Sequence, residues 1–215
     1  MKLLALEFSS SQRSVAILEF DHEKSREIYL HADADFRKNS SMLLVDTALR
    51  QTGTKPEEIT RIAVGLGPGS YTGIRSAIAI AQGWQLARGT EVCGVSSVEN
   101  LAEEARKQFG SGEVTLIIDA QKKEVYSARF ELTDGGVIPL TALSIQSPSS
   151  LLPDIRIAGP DATKFMPSAI NLFPSAGTLA RIALAHFTPI PAEKLTPIYL
   201  REITFVKAPP PRMIE

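Results

Sequence analysis

The feature that most constrains this chain is an order of elements that runs twice. In the first run, strand-like stretches cover residues 2–7, 14–20 and 27–35. A helix is expected over 41–52, with Asn39, Ser40 or Ser41 as its cap and Gly53 as its stop. Pro56-Glu57-Glu58 reads as a short helical turn, and 61–65 as a buried strand. A second helix over about 70–87 stops at Gly89, a strand follows at 91–95, and a third helix runs from a Ser96 or Ser97 cap to about Phe109. After the linker Gly110-Ser111-Gly112 the pattern restarts. Three strands return at 114–119, 124–132 and 137–144, with Gly135-Gly136 as a turn. A short helix near Ser147, a strand at 155–158, a short helix at 161–165 and a longer one at 175–185 complete the second run. Even the first strands match, Leu3-Leu4-Ala5-Leu6-Glu7 against Leu116-Ile117-Ile118-Asp119-Ala120.

A duplicated βββαβα unit implies two lobes of related architecture. The 215 residues suffice for two lobes of about 100 each. The expected division is residues 1–109 and 110–215, with the C-terminal tail free to pack back on the first lobe. By analogy of element order, the fold class is α/β with an actin-like (ASKHA) fold, in which nucleotide is held between the lobes.

Hydrophobic residues make up 44% of the chain, enough for a sizeable core. With 23 basic against 24 acidic residues the net charge is −1, so no general field draws the chain to nucleic acid. Any RNA contact then lies mainly on a partner. Cys93 is the one cysteine, so no intrachain disulfide forms. Its neighbours Val92, Gly94 and Val95 make it a small core residue. Glu7 cuts the apolar start to four residues, short of the roughly 7–15 of a signal peptide. No run reaches the ~18 apolar residues of a membrane span. The expectation is a cytoplasmic protein whose first residues form a strand, with no membrane association.

The most specific segment is Gly65-Leu66-Gly67-Pro68-Gly69-Ser70-Tyr71-Thr72-Gly73-Ile74-Arg75, between a strand and a helix. One reading is a phosphate loop at a helix N-terminus. Yet Gly73 precedes Ile74 where a Walker loop has lysine, and Gly67, Gly69 and Gly73 are spaced one residue too wide for a dinucleotide fingerprint. The other reading, which the spacing favours, is a structural turn that lets helix and strand pack closely.

The same segment, with Ala79-Ile80-Ala81-Gln82-Gly83 after it, resembles the signature of the TsaB (YeaZ) family. Leu4-Ala5-Leu6-Glu7 with Ser14-Val15-Ala16, Val95-Ser96-Ser97-Val98-Glu99-Asn100, Ile118-Asp119-Ala120 with Glu124-Val125-Tyr126, and Pro197-Ile198-Tyr199-Leu200-Arg201 are similar to further family segments. The resemblance implies the actin-like two-lobe fold. It also implies a place beside TsaD, the paralogue that transfers threonylcarbamoyl to the tRNA adenosine next to the anticodon, and through it beside the ATPase TsaE. It further implies a non-catalytic subunit that meets tRNA through the complex and forms a homodimer when alone.

Several residues bear on that implication. Catalytic relatives hold metal through a His-x-x-x-His pair on a helix, whereas the matching helix here reads Asn39-Ser40-Ser41-Met42-Leu43-Leu44. His22, His31 and His186 are scattered and share no ligand spacing. Glu7 stands where the family usually has aspartate, Phe8 replaces a small hydroxyl residue, and Asp119-Ala120-Gln121 lacks a phosphate-loop glycine. Ile157-Ala158-Gly159-Pro160 has one glycine where an adenosine loop usually has two. The expectation is therefore no catalytic residue, no metal and no cofactor. The signature loop Gly67, Pro68, Gly69, Ser70, Tyr71, Thr72, Gly73 and Arg75 remains the family mark, and Arg75 is a candidate contact for a partner or a phosphate. Helix two carries Ile74, Ala77, Ile78, Ala81 and Gln85 on one side, and Ala79, Ile80, Gly83, Trp84 and Ala87 on the other. A helix apolar nearly all round buries both sides. The expected partner interface is Leu44, Val45 and Ala48 of helix one with Ile74, Ile78, Ala81 and Gln85 of helix two. Two other functions remain open: an independent metal-dependent peptidase or weak ATPase, and a self-associating regulatory module.

Overall fold

Leu3, Leu4, Ala5 and Leu6 are all fully buried, which a strand achieves only inside a sheet covered on both faces. In the computed structural model, which describes residues 1–21, 24–33, 40–152 and 156–200, this strand is β1 (Lys2–Glu7). It sits at the middle of a five-stranded sheet with β2 (Arg13–Phe20), β3 (Ser25–Asp33), β4 (Ile59–Gly65) and β5 (Glu91–Val95), in the order β3-β2-β1-β4-β5. β1, β2 and β3 pair antiparallel, and β4 and β5 run parallel to β1. Side chains alternate between the faces. Leu4, Leu6, Val15, Ile17, Ile62 and Val64 meet α1 (Ser41–Thr52) and α2 (Tyr71–Arg88). Leu3, Ala5, Ala16, Leu18 and Ala63 meet α4 (Ala176–Ala185) on the opposite face.

The second sheet repeats the plan. It contains β6 (Gly112–Asp119), β7 (Val125–Thr133), β8 (Gly136–Pro139), β10 (Arg156–Gly159) and β11 (Ile170–Asn171), in the order β11-β10-β6-β7-β8. A short β9 (Ser144–Gln146) also pairs with β7. The first strand of each half is again central, flanked by its antiparallel successor and a parallel strand. This is the actin-like α/β fold. Where the first half has α1 and α2, the second has single 3₁₀ turns at Pro148–Ser150 and Ala162–Lys164. The expected strand over 137–144 divides into β8 and β9, and β11, two residues long, had no sequence signal.

The helices that end the two halves exchange sheets. α3 (Ser97–Phe109) follows the first sheet but packs Val98, Leu101, Ala102 and Ala105 onto the second. α4 follows the second sheet and packs Ala176, Leu179, Ala180 and Ala183 onto the first. After α4 the chain returns to the first lobe as a strap. Ile190 donates to Val92 O at 2.9 Å, Ile198 donates to Leu66 O at 2.8 Å, and Ala192 and Leu195 enter the core beside α2.

Each of the four α-helices among the described residues starts on a serine cap: Ser40, Ser70, Ser96 and Ser175. α1 and α2 stop at Gly53 and Gly89 in left-handed conformation. No described helix is long and apolar enough to cross a membrane. Asn39, His22, Arg201 and the proline run 209–211 lie outside the described residues.

Candidate functional site

The signature loop is held by the turn between β1 and β2. Ser70 N donates to Ser9 O at 2.7 Å, and a Cβ on Gly69 or Gly73 would overlap the backbone oxygens of Ser9 and Phe8. Only glycine permits that approach. The loop amides are used inside the protein: Gly67 N donates to Ser97 Oγ at 3.1 Å, and Gly73 N to the Ser70 cap at 3.2 Å. The geometry is that of the structural turn.

Behind the loop lies Glu7, fully buried. Its carboxylate accepts from Ser9 N at 3.0 Å, from Ser97 Oγ at 3.2 and 3.1 Å, and from Asn100 Nδ2 at 3.0 Å. Burial pushes its pKa above the ordinary carboxylate value, while the Ser9, Ser97 and Asn100 hydrogen bonds pull the other way. Asn100 also exchanges bonds with Ser175, donating to its O at 3.0 Å and accepting from its N at 3.2 Å. Ala176 N donates to Ser14 Oγ at 2.9 Å. Glu7 thus joins β1 to α3, and Asn100 joins α3 to the cap of α4. The carboxyl is an anchor of the lobe junction.

In front of the loop a cleft of about 750 Å³ opens between the sheets. One wall is Ser9, Ser10, Ser11 and the start of α2. The other includes Asp119, Gln121, Lys122, Tyr126, Asp161, Lys164 and Phe165, with Tyr199 from the strap. Ser11 Oγ donates to Asp161 Oδ2 across the cleft at 2.7 Å. Gln121, Lys122, Lys123 and Asp161 all have positive φ, at 63°, 55°, 63° and 54°. Such strain in residues with side chains gathers at functional sites. Tyr199 stacks on Tyr71 with ring centroids 5.8 Å apart, and the Arg75 guanidinium lies 4.1 Å from the Tyr71 centroid. Arg75 therefore sits on a ring at the mouth of the cleft. The Tyr199 hydroxyl is buried without a hydrogen-bond partner among the described residues.

The expected interface residues are elsewhere than foreseen. Leu44, Val45, Ala48, Ile74, Ile78 and Ala81 are at most 6% exposed and lie in the chain's own first core. They cannot face a partner, because the i, i+3, i+4 stripe of α2 is the side that covers the sheet. Gln85 holds the strap: its Oε1 accepts from Ala192 N at 2.6 Å, and Gln82 Nε2 donates to Ala192 O at 3.1 Å. The outward surface is Met42 and Leu43 of α1 with Tyr71, Ala79, Gly83 and Leu86 of α2, Leu86 being 91% exposed. Cys93 is buried in the core, and burial pushes its thiol up to about 12, which disfavours the thiolate. His31 and His186 are exposed.

A family model described as tRNA N6-adenosine threonylcarbamoyltransferase, TsaD, matches residues 36–184, more than half of the chain. The tRNA threonylcarbamoyladenosine biosynthesis protein TsaB of Escherichia coli is 32% identical over 139 residues, 64% of this chain and 58% of that protein. The chain belongs to the TsaB (YeaZ) family. TsaB of Bacillus subtilis is 29% identical over 136 residues, 63% of this chain and 57% of that protein. The match thus spans less than two thirds of either relative's length. Among solved structures, YeaZ from Pseudomonas aeruginosa superposes with a TM-score of 0.75 at 29% identity, covering 93% of this chain and 99% of that one. Sequence reasoning missed Asn100 and Ser97 as partners of Glu7, since some ninety residues separate them. The one signal was the family segment in which both stand.

Proposed function

We propose that this chain is a non-catalytic subunit of the cytoplasmic tRNA threonylcarbamoyladenosine machinery, binding TsaD and through it TsaE, and meeting tRNA only through that complex. The observation that carries this reading is a division of labour within the first lobe. The acid at the head of β1, Glu7, is sealed among Ser9, Ser97 and Asn100, while α1 and α2 expose Met42, Leu43, Tyr71 and Leu86 beside the small residues Ala79 and Gly83. A Cβ at Gly83 would meet nothing within 4 Å, so a partner helix can approach closely there. An exposed apolar surface of this kind marks association. In the absence of TsaD the same face pairs two copies of the chain.

The test is size-exclusion chromatography of the purified chain with and without TsaD. A homodimer that converts to a heterodimer supports the reading. A homodimer that persists in excess TsaD favours a self-associating module. The isolated chain should hydrolyse neither ATP nor peptides; turnover that survives purification and vanishes in a Glu7→Gln variant that keeps the wild-type urea midpoint would establish an enzyme instead.

A further inference from the structure

We propose that the segment Ile203-Thr204-Phe205-Val206 docks on the first turns of α1 and α2 and covers Met42, Leu43 and Tyr71 in the free chain. Those three side chains are 53%, 46% and 57% exposed among the described residues. They lie at one end of the first lobe. Ser70 N, at the cap of α2, donates to Ser9 O at 2.7 Å. Arg13 Nη1 donates at 3.0 Å to the hydroxyl of Ser41, the first residue of α1. Both helices therefore begin beside the turn between β1 and β2. The strap finishes at the same place. It runs from Ala192, held by Gln82 and Gln85 toward the end of α2, to Tyr199, stacked on Tyr71 at its start. The described chain stops at Leu200, itself 43% exposed, on the edge of this apolar patch.

The sequence that follows matches the patch in chemistry and in reach. Arg201-Glu202-Ile203-Thr204-Phe205-Val206-Lys207 sets three large apolar side chains between charged ones. In an extended chain Ile203 and Phe205 share a face. Phe205 is five residues past Leu200, a reach of about 17 Å, against roughly 8–10 Å between the axes of packed helices. So short a tether holds the segment at an effective concentration in the millimolar range, which favours it over a free partner that binds weakly. A partner that uses this face must displace the segment. That consequence rests on the proposed association with TsaD or a second copy; the covering itself does not.

The experiment uses the full chain, diluted until sedimentation shows a monomer, as wild type and as the double variant Ile203→Asp, Phe205→Asp. Both substitutions lie beyond the strap's bonds at Ile190, Ala192 and Ile198. Met1, 56% exposed at the opposite end of β1, is the internal reference for Met42. Under dilute peroxide Met42 should oxidise at least about threefold more slowly than Met1 in wild type, and at about the Met1 rate in the variant. In the wild-type NMR spectrum the Phe205 ring should show Overhauser contacts to the methyls of Met42 and Leu43. TsaD is absent throughout, so a chain that fails to bind TsaD and a segment that fails to dock are told apart. A Met42 to Met1 ratio that is the same in both proteins, or a Phe205 ring without contact to those methyls, would overturn the proposal.

Discussion

The first sheet is covered by α1 and α2 on one face and α4 on the other, whereas the second has α3 on one face and, among the described residues, only 3₁₀ turns and coil on the other. Strand order is the same in both. The thick lobe is where surplus helix surface exists: once α2 has covered its sheet, a second apolar face remains. The thin lobe has no such surplus and instead lends turns to the cleft, including the Gln121–Lys123 tip and Asp161. A duplicated fold can thus keep one strand order while covering its two sheets differently.

The largest effect should come from the covered face of α2. Ala81 is fully buried among the first core, so Ala81→Arg should lower stability by about 4 kcal/mol or more and unfold much of the chain in urea titrations. A folded variant with a normal midpoint would mean that this face is external after all. Next come matched truncations in the two lobes. Ile74→Ala, on the inward face of α2, should cost about 3–4 kcal/mol, and Ile157→Ala, on β10 beneath the coil of the second lobe, about 2, because a loosely covered site collapses more readily. Equal losses would erase the proposed contrast between lobes. Removing the strap's clamp should be milder. Gln82→Ala with Gln85→Ala deletes two hydrogen bonds to Ala192, should cost about 1–3 kcal/mol together, and should speed proteolysis after Lys194. Unchanged proteolysis would assign the strap's attachment to the Ile190 and Ile198 backbone bonds and the buried Ala192 and Leu195.

A pH series bears on the junction between the lobes. The folded protein holds the Glu7 proton more tightly than the unfolded chain, because burial raises its pKa from 4.5. The Glu7 contribution is therefore most favourable below 4.5 and is lost as pH rises from there through the raised folded value. Against Glu7→Gln, which does not titrate, the wild type should lose relative stability across that rise. A difference that stays flat, or that moves the other way, would show a carboxyl stabilised as the anion.

Much of this was written in local sequence. Serines before the apolar runs and glycines after them bounded α1 and α2, and the repeated element order, with its similarly apolar first strands, pointed to the duplication. What local sequence did not carry was which surface each helix meets. The positions 98, 101, 102 and 105 of α3 announce one apolar face, but the 3.6 period is silent on which sheet receives it. α2 has two apolar stripes, and its sequence offers a partner the one that the core takes, because nothing near it in sequence shows that Ala192 and Leu195 return to its flank. Glu7 read as a weakened active-site acid for the same reason, its partners Ser97 and Asn100 being distant along the chain. In the second lobe the expected helices near Ser147 and at 161–165 shrank to single turns, since neither stretch has an apolar stripe long enough to hold a helix on the sheet.

In the proposed complex the outward face of α2, and not its inward stripe, receives TsaD. The direct test is the affinity of TsaD for Leu86→Arg, with the urea midpoint of the same variant measured alongside. Leu86 is 91% exposed, so the unfolding free energy from that titration should stay within about 0.5 kcal/mol of wild type. A charge forced into the apolar contact should weaken association by at least about tenfold, or roughly 1.4 kcal/mol. Unaltered affinity for TsaD in a fully folded Leu86→Arg protein would contradict the account and place the partner on another surface.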